Sequence, residues 1–160
     1  MNNLRPSWPE RTGEALGSET TIAGLLGATC RAVVDVVDAT ASTVSRAIGD
    51  LLVGLAEYSR LGGPVQIGHG YLLDDYPLTR RVIETGEPQV VWLRAPDPDR
   101  QEAALLERLG FESLLMVALP GPKDCWGLVE VYANGRSFDC EDAERAAQVA
   151  AQAGALLATL

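Results

Sequence analysis

The segment IGHGYLLDDYPLTRR, residues 67–81, is the richest in polar and aromatic groups. Tyr71 and Tyr76 can stack on a ligand or hydrogen-bond to it. Asp74 and Asp75 precede a helix start, and Arg80 and Arg81 lie one turn in, where a guanidinium can meet an anionic group. A free helix N-terminus also attracts anions. The same residues equally describe a helix capped by Asp75, with arginines solvated or paired to Asp74 and Asp75. Glu130 is a second candidate. It sits mid-strand in WGLVEVYA, on the side of Trp126, Leu128 and Tyr132, and a buried acid there needs a partner. Arg80, Arg81 or a cationic ligand could supply it, or the position lies at an edge open to water. Trp92 and Ser113 are weaker ligand-binding candidates, and Trp92 reads equally as core.

Other chemistry is sparse. His69 is the one histidine, too few for a zinc site or a metal pair though enough for one axial haem ligand. Its flanking glycines also describe an ordinary loop. Cys30, Cys125 and Cys140 are an odd number at no metal-like spacing. They read as one small core residue on a helix and two thiols at element edges. There is no Gly-x-Ser-x-Gly, no phosphate-cradling glycine loop after a strand, and no Ser/His/Asp set. No two carboxylates fall in one identifiable cleft. We therefore expect no catalytic site and no metal, and the sequence leaves the cofactor open.

Elements must position these residues. Residues 1–18 hold Pro6, Pro9, Gly13 and Gly17 and read as an irregular arm, with Trp8 docking on a surface or on a partner chain. Residues 21–37 repeat apolar groups at three- and four-residue steps, as a helix does. ASTVSRAI and LLVGLAEYS read as strands joined at Gly49-Asp50. A glycine-rich loop spans 62–70. Pro77 to Thr85 is a helix stopped by Gly86, QVVWL is a strand, and Asp97-Pro98 opens a helix ending at Gly110. Ser113 to Leu119 is apolar on both faces, as a covered central strand must be. Trp126 to Ala133 alternates, with Gly127 suited to contact with the terminal helices. A last helix starts near Asp139, where acids favour its N-terminus, and carries a stripe of small residues from Ala146 to Leu157.

Composition limits the role. With 160 residues the chain forms one domain at 19–160 behind its arm, long enough to bury roughly 70% of its unfolded surface. Its net charge of −9 opposes binding to nucleic acid or anionic membrane. No window is apolar enough to span a bilayer, and the N-terminus lacks a signal-peptide core, so we expect a cytoplasmic protein.

LLMVALP followed by WGLVEVYANGRSFDCEDAERA, with YLLDDYPLTRRVIETGEPQVV before them, resembles a GAF domain over about residues 20–160. The resemblance implies an α+β, GAF/PAS-like fold. It comprises a six-stranded antiparallel sheet, with terminal helices on one face and short helices and loops covering a pocket on the other. It also implies a sensory role within or beside a signalling enzyme, with a small molecule as ligand. Some GAF domains bind haem. Bilin attachment is not implied, because residues 31–124 contain no Cys. We expect the signal to pass through helix packing to an output protein or to a homodimer built from the first and last helices. One alternative is a ligand-free dimerisation domain. Another is the GAF-fold enzyme that reduces free methionine sulfoxide, through Cys125, although the cysteine-free middle opposes it. Met1 and the ragged arm favour a stand-alone protein over a domain cut from a longer chain.

Overall fold

The computed structural model describes residues 5–66 and 68–160. Ile67, and the first four residues of the expected arm, lie outside them. Six strands form one antiparallel sheet in the order β3-β2-β1-β6-β5-β4. They are β1 (Ala41–Ile48), β2 (Leu51–Ser59), β3 (Gly70–Leu72), β4 (Gln89–Trp92), β5 (Ser113–Pro120) and β6 (Cys125–Ala133). The expected α+β architecture is present. The strand β3, only three residues long, was not expected from its own sequence.

The central strand β6 divides its side chains as a period of two requires. Val129 and Val131 face one apolar cluster, with α2 (Ile22–Val37) and α5 (Cys140–Leu157). Leu128 and Tyr132 face a second cluster, with α3 (Pro77–Thr85) and α4 (Arg100–Leu109). Thr21 caps α2 by accepting the Gly24 N–H. Asp139 and Asp142 form a reciprocal capping box at the head of α5. The small residues Ala146, Ala150, Ala153 and Gly154 of α5 are buried. A β-carbon on Gly154 would stand 2.4 Å from the Pro120 carbonyl oxygen. That stripe is therefore buried within the chain's own core rather than free for a second copy.

Three expectations change. Residues Trp8–Gly17 are a helix, α1, not an irregular arm. Ser7 and Glu10 form its capping box and Pro9 lies in its first turn, where a missing N–H costs nothing. Leu16 is buried, and Trp8 packs against the α2/α5 cluster of its own chain. The helix α4 is capped by Asp99, two residues later than Asp97. Gly127 is required by a strand rather than by a helix, since its added β-carbon would lie 1.9 Å from the Ser45 carbonyl oxygen of β1.

This close approach gives a direct test. Gly127→Ala forces the two central strands apart and should lower the unfolding free energy by about 1–3 kcal/mol. Gly27→Ala, with nothing within 4 Å, should instead leave stability unchanged or raise it by up to ~1 kcal/mol through helix propensity. Urea unfolding of both variants checks the contrast, and equal effects would refute it.

Candidate functional site

The α3/α4 face of the sheet carries an unusual set of buried polar groups. Glu130 of β6 is 4% exposed and Glu102 of α4 is 1% exposed. Both line a small cavity with Leu52, Tyr71, Leu73, Tyr76, Thr79 and Leu105. Its volume is about 10 Å³, room for about one water molecule. The side chains of the face thus largely fill the space beneath α3.

Glu130 is held by its neighbours. Tyr132 Oη donates to Glu130 Oε2 at 3.0 Å. The side-chain amide of Gln66 lies 3.2 Å from Glu130 Oε1, 3.2 Å from Thr43 Oγ1 and 2.7 Å from Tyr132 Oη. Its two N–H bonds therefore have three acceptors within reach. Gln66 is brought there by Glu57 of β2, whose carboxylate accepts the backbone N–H groups of Val65 at 2.6 Å and Gln66 at 3.0 Å. The loop is strapped further across β2, with Gly68 N–H donating to Gly54 O and Gly54 N–H to His69 O. Phe111 stacks on Tyr132 with ring centroids 4.9 Å apart and seals the inner side.

Glu102 is less well served. Thr79 of α3 donates to its Oε1, while its buried Oε2 has no partner among the described residues. Burial pushes the Glu102 carboxyl up to about 7. Burial, followed by the Glu102 charge, pushes Glu130 up to about 7 as well. Tyr132 is held well above its ordinary range, by burial first and then by Glu130. Tyr71 is raised by burial and by Glu130.

A larger open cleft, about 1020 Å³, lies between the β5–β6 turn and the end of α3. Its Arg46 is engaged over the Trp126 ring at 4.5 Å. Ala47, Ile83 and Ala118 line this cleft and also pack against the α3/α4 cluster. The cleft exposes its polar groups to solvent, so the buried carboxyl pair is the more distinctive site.

The GAF domain family model matches residues 21–157. The chain belongs to the GAF domain family. Solved GAF structures share its fold at low identity. The phycocyanobilin-bound GAF domain of a cyanobacterial phytochrome superposes with a TM-score of 0.81 at 15% identity, covering 99% of this chain and 96% of that one. JSC1_58120g3 with bound biliverdin gives 0.80 at 18%, covering 96% and 98%. The chromophore-binding domain of a bacteriophytochrome from R. palustris gives 0.81 at 11%, covering 96% of this chain and 61% of that one. The chain thus spans about three fifths of that domain. No curated protein sequence matches it.

In this GAF domain Tyr71, Tyr76 and Glu130 come together at the cavity. Tyr71 and Tyr76 meet edge to face, centroids 5.6 Å apart. The other expected residues lie elsewhere. Asp75 is exposed and does not cap α3, whose N-cap Tyr76 provides no side-chain cap. Arg80 is tied to Asp74 at 2.5 Å and Asp50 at 3.1 Å, and Arg81 to Glu87 at 3.4 Å. Neither is the partner of Glu130 considered from sequence. Ser113 is buried and donates to the Ala133 carbonyl. Trp92 is half-buried on β4 with its Nε1 unpartnered, away from the cavity. His69 is exposed and lies edge-on to Tyr71.

Sequence reasoning missed Glu102, Gln66 and Thr79, and it found no two carboxylates in one cleft where the fold places Glu102 and Glu130 together. A signal for Glu102 existed. It precedes Leu105, Leu106 and Leu109 by three, four and seven residues, so it lies on the apolar stripe of α4.

The raised acids set a pH dependence. Between about 4.5, their ordinary value, and 7 the folded chain holds protons that the unfolded chain has released. Stability must therefore fall as pH rises through this window and level off above it. A shift of this size weighs on the order of 3 kcal/mol per acid. Denaturation at pH 5.5 and 7.5 should show the wild type more stable at the lower pH, and the Glu102→Gln/Glu130→Gln double variant with most of that difference removed. A double variant with the full wild-type slope would contradict the assignment.

Proposed function

We propose that this GAF domain is a sensory module whose ligand binds between the sheet and α3/α4, at Tyr71, Tyr76, Glu102 and Glu130. The observation that carries this reading is the buried, unpartnered Oε2 of Glu102, a residue that lines a cavity on the side opposite the α2/α5 layer. A native fold rarely leaves such an atom unsatisfied without a use for it. In the closed form the side chains of Tyr71, Tyr76 and Leu73 fill the space. A ligand larger than water must part the β3–α3 segment from the sheet, so it stabilises an open form. It shifts the balance only by its preference for that form. The sheet and its opposite layer then carry the change to α2 and α5, and from there to an output protein or a second copy of the chain. Such a module acts in the cytoplasm, and no helix among the described residues is long and apolar enough to cross a membrane.

The bilins named for the solved neighbours support small-molecule binding on this fold, but they do not suit this cavity. Among the described residues, neither a cysteine nor a basic side chain lines it. A haem is no better served, with His69 exposed outside it. Sulfoxide reduction is disfavoured too. Burial pushes the Cys30 thiol up to about 12 and also raises Cys125, which works against the attacking thiolate. The nearly filled cavity favours one second reading, a ligand-free interaction domain.

Hydrogen exchange with and without a small-molecule extract of the source cells separates the two. Sensing predicts altered exchange confined first to residues 68–85, with a bound species visible by native mass spectrometry. An interaction domain predicts no change with the extract and a dimer by light scattering at micromolar concentration.

A further inference from the structure

The atoms left unpartnered around the cavity share one character, and it bears on the ligand. Glu102 Oε2, which becomes a bare acceptor when the acid loses its proton, is buried without a partner, and so is Oε1 of Gln66, a residue hydrogen-bonded to Glu130 but outside the cavity lining; their side chains are 1% and 2% exposed. Three of the donors nearby are already committed. Thr79 Oγ1 serves Glu102, Tyr132 Oη serves Glu130, and the Gln66 amide serves Glu130, Thr43 and Tyr132. Among the described residues no Lys or Arg lines the space, and Arg80 is held at the surface by Asp50 and Asp74. The rings of Tyr71 and Tyr76 form part of the wall, and aromatic faces attract cations.

Resting on the reading of this cavity as the ligand site, we propose that it recognises a small organic cation bearing N–H donors, of the amidine or guanidine class. Such a group supplies the donor that a deprotonated Glu102 Oε2 lacks. It can engage a carboxylate through two parallel N–H bonds. Its charge compensates acids that the fold otherwise keeps protonated. An anion would instead face two carboxyl groups with no counter-charge, and burying it unpaired is costly. Occupancy by the cation displaces protons from the pair, so binding is coupled to proton release. The titratable groups facing the pair are Tyr71 of β3, Tyr76 before α3, Tyr132 of β6 and Asp99 at the head of α4. Arg108 of α4 acts on Tyr71 from outside the cavity. The two acids of the pair are themselves raised to about 7. Affinity for the cation should therefore climb between pH 5.5 and 7.5, by up to about tenfold per pH unit for each proton released.

Three probes of nearly identical shape decide the matter: benzamidine, benzamide and benzoate. Calorimetry on the whole chain should show benzamidinium binding, with proton release at pH 6 detected by comparing buffers of different ionisation enthalpy. Benzamide and benzoate should bind at least tenfold more weakly. Glu102→Gln and Glu130→Gln, which keep side-chain shape, should each weaken benzamidinium at least tenfold at pH 7.5. Equal binding of all three probes, or a preference for benzoate, would overturn the cation assignment while leaving a sensory pocket standing. Benzamidinium binding without proton release, or with undiminished affinity in both variants, would overturn it as well. Binding of none of the three would also overturn it, and the extract experiment then judges the sensory reading independently. The proton-release measurement uses only the wild type, so a variant that fails to fold does not rescue the proposal.

Discussion

An acid buried at mid-strand in the centre of the sheet is the constraint on which this face of the molecule depends. Glu130 lies on β6, flanked by β1 and β5, where water does not reach it. A carboxyl group in that position must keep its proton, find donors, or do both. Tyr132 and Gln66 provide donors, and Gln66 is in place because Glu57 fixes the backbone of its loop. Moving Glu57 would release the loop, and the loop would take Gln66 with it. The second acid, Glu102, adds to the raised titration of the first and is itself only half satisfied.

This arrangement gives the two faces of one sheet different tasks. The α2/α5 face is apolar and tightly closed, down to the contact of Gly154 with Pro120. The α3/α4 face mixes an apolar cluster with a polar network that has two orphan oxygens, on Glu102 and Gln66, and a space the size of a water. Packing on the first face is fixed, whereas the second retains an unmet hydrogen-bonding capacity. A conformational change is therefore more readily placed on the second face, where parting the layers can bring donors to groups that lack them. The same asymmetry accounts for the pH response, because the protons that keep the closed form neutral are the ones a cation would replace.

Much of this was legible in the chain, and the exceptions have physical reasons. The period of two in β6 put Glu130 on the side of Leu128 and Tyr132, where the fold has it, although Trp126, counted on that side too, packs against the α2/α5 cluster. The run from Ser113 to Leu119 read as a doubly covered strand, and Pro77 and Gly86 marked both ends of α3. The helix α1 was obscured by Pro9, Gly13 and Gly17, although its Ser7–Glu10 capping box was present to be read. The strand β3 could not be seen, since three residues after a glycine-rich loop gain strand character only by pairing with β2. Arg80 drew attention as a ligand contact, yet a charged side chain at the sheet's rim meets Asp50 and Asp74 before any ligand. Gln66 left no trace, because a loop residue is aimed by tertiary contacts such as the one Glu57 makes.

The central claim is that Glu102 and Glu130 are both protonated well into the neutral range by a shared, dry environment. Carbon-13 carboxyl chemical shifts, followed from pH 4 to 9 with Glu102→Gln and Glu130→Gln to assign the signals, test it most directly. The account predicts two glutamate resonances with midpoints near 7, the Glu130 midpoint falling when Glu102 is replaced. Midpoints for both acids at the ordinary value near 4.5 would contradict it.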